Sequence, residues 1–177
     1  MNKALQEVEY LLKWKPNEAK VLLDLGCGDK KIAEDFIGID RVRGETARTN
    51  GTTYFTTPDI LCDITALDKF VDDESVDYIV SMHTLEHLIS PVRVLNHWID
   101  KLKIGGRIAI IVPDWTYTWT CETDEQRFSP DGHKQNFTPE ELERVFITVE
   151  NLTSRIKILD VSTPTEKYSI GGVIEKI

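Results

Sequence analysis

The chain has 177 residues, of which 41% are hydrophobic and 29% are charged, and its formal net charge at pH 7 is −9. This length and composition predict one globular domain, residues 1–177, with a full hydrophobic core and no apolar run long enough to cross a bilayer. The acidic balance argues against nucleic acid as a partner, because an acidic surface repels a phosphate backbone, so a small molecule or sugar is the expected substrate.

The N-terminal segment predicts an amphipathic helix over residues 2–14. Leu5, Val8, Leu11 and Leu12 recur at helical spacing, and Pro16 follows them. We expect this helix to cover the edge of a cleft. The same segment lacks the apolar block of a signal peptide, which indicates a cytoplasmic protein.

The most informative stretch is VLLDLGCGDKK, residues 21–31, where a strand over about 20–25 ends in an Asp-x-Gly-x-Gly turn. Gly26 and Gly28 lack a Cβ atom, so the turn can adopt unusual backbone angles and let the polar end of a ligand approach the main chain. The loop amides would then form the binding surface. This pattern predicts a site for a nucleotide-like cofactor.

A second acidic strand end strengthens this prediction. The run FIGID, residues 36–40, ends in Asp40, which can accept two hydrogen bonds from a ribose diol beside the first loop. The connection between the two strands is too short for a full crossover helix, so we expect one or two helical turns there. A brief third strand is predicted at 59–62, after a polar connection at 43–58.

The second half of the chain continues the alternation of strands and helices. Residues 76–82 predict a buried parallel strand, and Ser90-Pro91 begins a helix that Gly105-Gly106 ends. The strand RIAIIV and an irregular segment at 113–137 precede a capping box, Thr138 to Glu141, that opens a helix over 139–147. Two runs in which apolar and polar residues alternate, RIKILDVST and KYSIGGVIEKI, then predict a terminal antiparallel hairpin. This order indicates an α/β three-layer sandwich.

Three segments carry a family resemblance: DESVDYIVSMHTLEHL at 73–88, KIGG at 103–106 and RIAIIVPD at 107–114. From about residue 20 to residue 146, the chain resembles the class I S-adenosylmethionine-dependent methyltransferases, in particular the methyltransferase type 11-like family. The resemblance implies a Rossmann-like fold with a mostly parallel seven-stranded sheet and a C-terminal antiparallel hairpin. It also implies S-adenosylmethionine as the cofactor.

The resemblance assigns a part of the cofactor to each candidate binding residue. It implies that Asp24, Gly26 and Gly28 contact the methionine end, that Asp40 holds the ribose, that Asp63 and the Ile64 backbone meet the adenine, and that Ser81 and Met82 lie beside the methionyl part. Asp24 and Asp63 could instead cap local turns. Asp29 replaces the frequent third glycine, which also departs from the fingerprint of a nicotinamide oxidoreductase and makes that alternative a poor fit.

Four polar residues could serve the chemistry beyond the cofactor: His83, Glu86, His87 and His133. Methyl transfer to a hydroxyl benefits from a base or a metal, and His83 and His133 are the candidate bases because imidazole titrates near neutral pH. If residues 83–87 are helical, His83, Glu86 and His87 share one face.

With His133, these three residues resemble the metal site of the O-methyltransferases of ubiquinone biosynthesis and small-RNA methylation. Those enzymes use a Glu-x-x-Glu-His motif with a distant histidine. Here His83 replaces the first glutamate, so zinc, iron or manganese would suit the set better than magnesium. The alternative is that Glu86 and His87 only begin a structural helix.

The remaining signals concern the acceptor. Trp115, Tyr117 and Trp119 alternate after the strand RIAIIV and could stack on a sugar or aromatic acceptor, or pack together as the small core of their loop.

The cysteines give no functional signal. Cys27, Cys62 and Cys121 are odd in number and widely spaced, which indicates buried filler rather than a disulfide frame or a zinc site.

Taken together, the motifs predict a methyltransferase acting on a small hydroxyl acceptor, covered by the N-terminal helix, the 113–137 loop or another subunit. The alternative is a cofactor-binding scaffold without catalysis.

Overall fold

The computed structural model describes residues 2–47, 53–118 and 132–177. The helices in these ranges are α1 (Lys3–Lys13), α2 (Pro91–Lys101) and α3 (Pro139–Thr153), with short 3₁₀ helices at Leu67–Lys69 and Leu85–His87. The strands are β1 (Leu22–Leu25), β2 (Ile37–Asp40), β3 (Gly44–Ala47), β4 (Thr53–Thr56), β5 (Ile60–Leu61), β6 (Val76–Met82), β7 (Leu102–Pro113), β8 (Ile156–Thr165) and β9 (Ser169–Lys176). Among the described residues, no helix combines the length and hydropathy that crossing a membrane requires.

Seven strands form one sheet in the order β5-β2-β1-β6-β7-β9-β8. The first five are parallel, whereas β9 runs antiparallel to both β7 and β8. This confirms the predicted mostly parallel seven-stranded sheet with its C-terminal hairpin. The strand order reverses between β1 and β6, and open α/β sheets bind ligands at the carboxyl ends of strands at such a point.

Alternate residues of the central strands pack into two separate cores. On one face, Ile79 joins Trp98 of α2 and Phe146 of α3, and on the other face Tyr78 joins Tyr10 and Leu11 of α1. Successive side chains of a strand point to opposite faces, so each strand supplies both cores. The helices therefore sandwich the sheet, as the order of elements predicts.

Helix α1 is fixed to the sheet by polar contacts from three strands. The Tyr10 hydroxyl donates a hydrogen bond to Asp160 Oδ2 of β8 at 2.7 Å, and the Tyr78 hydroxyl of β6 donates a short one to the Leu11 carbonyl. Arg107 of β7 donates from Nη1 to the carbonyl of Trp14, just after the helix, at 3.3 Å. The N-terminal helix is thus an integral part of the fold.

Three sequence predictions about local structure are wrong. Residues 44–47 and 53–56, within the predicted polar connection, form a small antiparallel hairpin of β3 and β4. Residues 29–35 contain only turns and bends, without the expected helical turns. Helix α2 ends at Lys101 rather than at Gly105-Gly106, because Leu102 already pairs with Val76 of β6.

The predictions for the last helix and the cysteines have mixed outcomes. The capping box of Thr138 and Glu141 is present, but α3 continues beyond the predicted 139–147 to Thr153. Cys27 is buried and burial raises the pKa of its thiol to about 12, whereas Cys62 is half-buried. Cys121 lies outside the described residues.

Candidate functional site

The loop after β1 contains two glycines in the left-handed region, Gly26 with φ +77° and Gly28 with φ +58°. A Cβ atom on Gly26 would lie 2.3 Å from Oγ1 of Thr84, so the loop packs directly against the segment after β6. A Cβ atom on Gly28 would meet nothing within 4 Å. Gly26 therefore allows close packing, whereas Gly28 borders open space at the switch point of the sheet.

The amides of this loop face β2. The Gly26 and Cys27 amides both donate to the Ile39 carbonyl, at 2.8 and 3.3 Å, and the Gly28 amide donates to Asp40 Oδ2 at 3.0 Å. The expectation that these amides form the binding surface is therefore wrong, because their hydrogen bonds fix the loop to the neighbouring strand. A ligand at this loop would meet side chains and carbonyls.

Two aspartates stand at the tips of β1 and β2. Asp24 is only 2% exposed and accepts the Ile32 amide at 2.9 Å, so it does brace the turn that follows. Burial raises the pKa of Asp24 to about 6, and the nearby charge of Asp40 adds to the shift. Asp40 accepts the amides of Gly28 and Val42, each at 3.0 Å. Because a carboxylate offers about four acceptor sites, Asp40 retains capacity for a ribose diol.

The residues after β5 also have local partners. Asp63 Oδ1 accepts hydrogen bonds from the amide and the hydroxyl of Thr65, at 2.9 and 2.7 Å, which is the turn-capping alternative considered from the sequence. The Ile64 side chain is buried, and its carbonyl accepts the Trp98 indole N–H at 2.8 Å. The segment after β5 is thus tied to α2 while the exposed Asp63 lies at the carboxyl edge of the sheet.

Ser81 and Met82 end β6 with different surroundings. The Ser81 side chain is fully buried and donates from Oγ to the Leu25 carbonyl at 3.0 Å, which joins the tips of β1 and β6. Met82 is half-buried against the core beneath α1. Ser81 therefore fixes the carboxyl ends of β1 and β6 relative to each other through the backbone of β1.

His83 follows β6 in a left-handed conformation, with φ +52°, and its amide donates to the Ile111 carbonyl at 2.9 Å. Its Nε2 lies 3.0 Å from Oε1 of Glu7 on α1, and its Nδ1 lies 3.9 Å from Oε1 of Glu86. Burial alone would lower the pKa of His83, but the hydrogen bond to Glu7 and the charge of Glu86 raise it above its ordinary value. An imidazole is therefore held between two carboxyl groups just beyond the tip of β6.

Glu86, His87 and His133 form a separate cluster, whose potential ligand atoms lie within 4.8 Å of one another. Glu86 is 1% exposed, and burial raises the pKa of its carboxyl to about 7. Its Oε2 has no hydrogen-bond partner among the described residues. The amides of Lys134 and Gln135 donate to the Glu86 carbonyl, at 2.7 and 3.0 Å, and so bring His133 to this position.

The four residues proposed from the sequence as metal ligands are thus arranged differently from the expectation. The helical face expected over 83–87 is wrong, because His83 is left-handed and only Leu85–His87 form a 3₁₀ turn. His83 contacts Glu7, while Glu86, His87 and His133 group together.

Beyond the tip of β7 lies an open cleft of about 360 Å³. Its walls come from the residues after β7, the start of α3 and the turn between β8 and β9, and include Asp114, Thr116, Tyr117, Thr138, Glu140 and Lys167. Tyr168 neighbours both this cleft and the imidazole, because its ring centre lies 6.2 Å from that of His83 and its carbonyl accepts the amide of Asp114 in the cleft wall. Of the predicted aromatic set, Trp115 and Tyr117 are exposed, and Trp119 lies outside the described residues.

Sequence reasoning missed Glu7, Thr84 and Tyr168. A signal for Glu7 did exist, because it precedes the buried Tyr10 and Leu11 by three and four residues and therefore shares their helix face. Thr84 and Tyr168 gave no such signal, since their roles depend on contacts with distant loops.

These features fit S-adenosylmethionine, which carries an ammonium, a sulfonium and a ribose. Open space at Gly28 leaves room beside the loop, and Asp24 and Asp40 supply negative charge next to it. The absence of a helix in 29–35 removes the helix N-terminus on which a dinucleotide pyrophosphate would rest.

Solved structures with this fold include proteins described as methyltransferases. A protein from Listeria monocytogenes, provisionally named an S-adenosylmethionine-dependent methyltransferase, is 18% identical with a TM-score of 0.64, and the match covers 98% of this chain and 99% of that one. An S-adenosylmethionine-dependent methyltransferase from Mesorhizobium loti is 14% identical with a TM-score of 0.65, covering 97% and 98%. The [4+2]-cyclase SpnF is 14% identical with a TM-score of 0.67, covering 98% and 81%.

Sequence comparison identifies the family. No curated protein matches this sequence with significance. A family model described as a methyltransferase domain matches residues 2–149, which include the glycine loop, the tips of the parallel strands and most of α3. The chain therefore belongs to the class I S-adenosylmethionine-dependent methyltransferases.

Proposed function

We propose that the protein transfers a methyl group from S-adenosylmethionine to a hydroxyl of a small acceptor such as a sugar, with His83 as the general base. One observation carries this proposal: an imidazole stands at the tip of β6, beside the glycine loop, with 31% of its side chain exposed. A general base must reach the proton of the acceptor, and the exposed part of the His83 side chain makes this ring a candidate for that role.

Five of the eight predicted cofactor residues contact the cofactor in this proposal. Asp24 and Gly28 bind the methionine end, Asp40 accepts the ribose hydroxyls, Asp63 accepts the adenine amino group and Ile64 lies against the ring. The cofactor supplies an electrophilic methyl group on a positively charged sulfonium. The chain's own residues align the acceptor hydroxyl and remove its proton.

The open cleft next to Tyr168 is the proposed acceptor site. Its walls combine hydroxyl groups, carboxylates and the exposed ring of Tyr117, a mixture that suits the hydroxyls and apolar faces of a sugar. Tyr168 neighbours both this cleft and His83, so an acceptor that bridges the two would contact Tyr168.

A cofactor titration and an activity screen test the proposal together. Calorimetry should detect binding of S-adenosylhomocysteine, and a panel of sugars incubated with S-adenosylmethionine should release S-adenosylhomocysteine with at least one member. His83→Ala should abolish this release while cofactor binding persists. Binding without release from any acceptor, including phenols and amines, would favour the alternative of a scaffold or sensor.

The cluster of Glu86, His87 and His133 favours a second candidate, a metal-assisted reaction. Within the described ranges, the buried Glu86 Oε2 has no hydrogen-bond partner, and two imidazoles with one carboxylate suit zinc, iron or manganese. The ion would polarise the acceptor hydroxyl. His133 would then be a ligand, whereas in a metal-free enzyme it is the second candidate base.

Equilibrium dialysis against Zn²⁺ or Mn²⁺ separates these roles without an activity assay. One ion bound to each wild-type chain and to Glu18→Gln, an exposed control, but not to Glu86→Gln, supports the metal site. Equal metal binding by Glu86→Gln and the control would rule this cluster out as the site.

A further inference from the structure

Glu7 is a charged residue of α1 with only 3% exposure, yet it lies outside the glycine loop and the strand tips that form the proposed cofactor site. Burying a carboxylate is unfavourable unless the group is paired and hydrogen-bonded. Its Oε1 is 3.0 Å from His83 Nε2, a distance at which the ring N–H donates to the carboxylate. The buried charge is therefore directed at the imidazole of the proposed base.

Both partners of this contact are held by the surrounding structure. Glu7 lies one helical turn before Tyr10 and Leu11. The Tyr10 hydroxyl donates a hydrogen bond to β8, and the Leu11 carbonyl accepts one from β6. His83 is fixed by its backbone bond to Ile111 and is bordered by the edge of Tyr168. The geometry of the pair thus follows from the docking of α1 on the sheet.

The other ring nitrogen has no carboxylate within hydrogen-bond distance among the residues that the structure describes. The nearest carboxylate oxygen to His83 Nδ1 is Oε1 of Glu86, at 3.9 Å, which is too long for a hydrogen bond. A neutral imidazole carries its proton on one nitrogen and a lone pair on the other, and the bond made by one nitrogen decides which. A proton on Nε2 therefore leaves the lone pair on Nδ1.

We propose that Glu7 is a positioning residue that accepts the Nε2–H of His83 and so makes Nδ1 the basic atom of the site. The acceptor's O–H bond breaks as an N–H bond forms at Nδ1, and the electron pair of the broken bond stays on the oxygen. The Glu7 carboxylate remains hydrogen-bonded to Nε2–H, at the opposite edge of the imidazolium that results. The proton transfer rests on the proposed function, whereas the tautomer of His83 does not.

Nitrogen-15 spectra of the histidine rings test the assignment. At about pH 9, where imidazoles are neutral, wild-type protein should show His83 in the Nε2–H form, with a protected ring N–H resonance that disappears in His83→Gln. Glu7→Ala should lose this resonance, and Glu9→Ala, an exposed control two residues away, should retain it. Wild-type protein with the proton on Nδ1, or a resonance that persists in Glu7→Ala, would overturn the proposal.

A second variant covers the case in which Glu7→Ala does not fold. Glu7→Gln keeps the size of the side chain but offers a neutral, weaker acceptor, so the Nε2–H resonance should broaden or disappear. An unchanged resonance in this variant would also contradict the role of Glu7. Calorimetry with S-adenosylhomocysteine on the same samples tests the proposed function separately, because a protein that binds none would refute the function and leave the tautomer result intact.

Discussion

Gly26 and Gly28 illustrate how two identical residues in one loop meet different requirements. Both have positive φ, which an L-residue adopts only at a conformational cost of roughly 1–2 kcal/mol. At Gly26 the side chain of Thr84 adds a steric restriction, whereas at Gly28 the neighbouring space is open. The sequence predicts a special turn at both positions but does not distinguish them.

The two alanine substitutions should therefore differ in stability. Gly28→Ala should lower the free energy of unfolding by about 1–2 kcal/mol, through backbone strain alone. Gly26→Ala should lower it by about 2–4 kcal/mol, because the new methyl group overlaps Thr84. Urea unfolding measures both values, and the double variant Gly26→Ala with Thr84→Gly should recover part of the difference. Equal losses in the two single variants would contradict the packing argument.

The buried Asp24 makes the stability of the fold depend on pH in a defined direction. Its carboxyl has a pKa of about 6 in the folded state and about 4 when unfolded, so the folded state binds more protons between these values. The Asp24 contribution to the free energy of unfolding therefore falls as pH rises through this window. Asp24→Asn lacks this falling contribution, so its free energy of unfolding should rise relative to that of wild type from pH 4 to pH 6, measured by urea titration at each pH. Parallel curves for the variant and wild type would refute the assignment.

Neighbouring glycines of β9 determine how closely the helices on the two faces of the sheet can approach it. A Cβ atom on Gly171 would lie 2.4 Å from Tyr10 Cε1 of α1, and one on Gly172 would lie 2.5 Å from Phe146 Cε2 of α3. Because successive residues of a strand face opposite sides, each glycine provides room for a different helix. A close approach of an aromatic ring is a packing reason for glycine inside a strand.

This arrangement predicts that one substitution affects α1 and its neighbour affects α3. Gly171→Ala should displace Tyr10 and raise amide hydrogen exchange across α1, while α3 keeps its protection. Gly172→Ala should have the opposite pattern, so each variant is the control for the other. Mass spectrometry of exchanged peptides measures both helices in one experiment. Equal changes in both helices would mean that the two faces are not independent.

The elements that local patterns specify are those that the sequence predicted well. The apolar stripe of α1 and the capping box at Thr138 are local signals, and both helices are present. The hairpin of β3 and β4 was missed because the segments GETA and TYFT lack a clear alternation of apolar residues. The end of α2 was misplaced because a distant strand, β6, recruits Leu102 into the sheet. Pairing across the sheet overrides the helix-ending signal of Gly105-Gly106.

At the scale of the whole molecule, the strand order brings together the strand ends that carry the predicted cofactor residues. Asp24 and Asp40 lie in the carboxyl-terminal halves of β1 and β2, and Asp63 follows β5. The carboxyl ends of these strands meet at one edge, which the repeated strand-acid pattern indicates. The contact between Glu7 and His83 spans 76 positions of the chain. No local spacing rule predicts such a contact, because it depends on how α1 docks.

Binding of the cofactor product should stabilise the whole fold. Ligand at 100 times its Kd adds about 2.7 kcal/mol to the free energy of unfolding, which corresponds to roughly 5–10 °C in Tm for a chain of this size. Differential scanning calorimetry should show this rise with S-adenosylhomocysteine and none with NAD. A rise with NAD alone would contradict the cofactor assignment.

The hydrogen bond from Tyr10 to Asp160 joins residues 150 positions apart in the chain. During synthesis, Tyr10 of α1 leaves the ribosome 150 positions ahead of Asp160 in β8, its partner, and chains grow at about 5–20 residues per second. Helix α1 therefore exposes its apolar stripe for about 8–30 seconds before β8 is available to hold it on the sheet. The contact between Glu7 and His83 depends on the same docking, so the nascent chain completes it only after β8 has been synthesised.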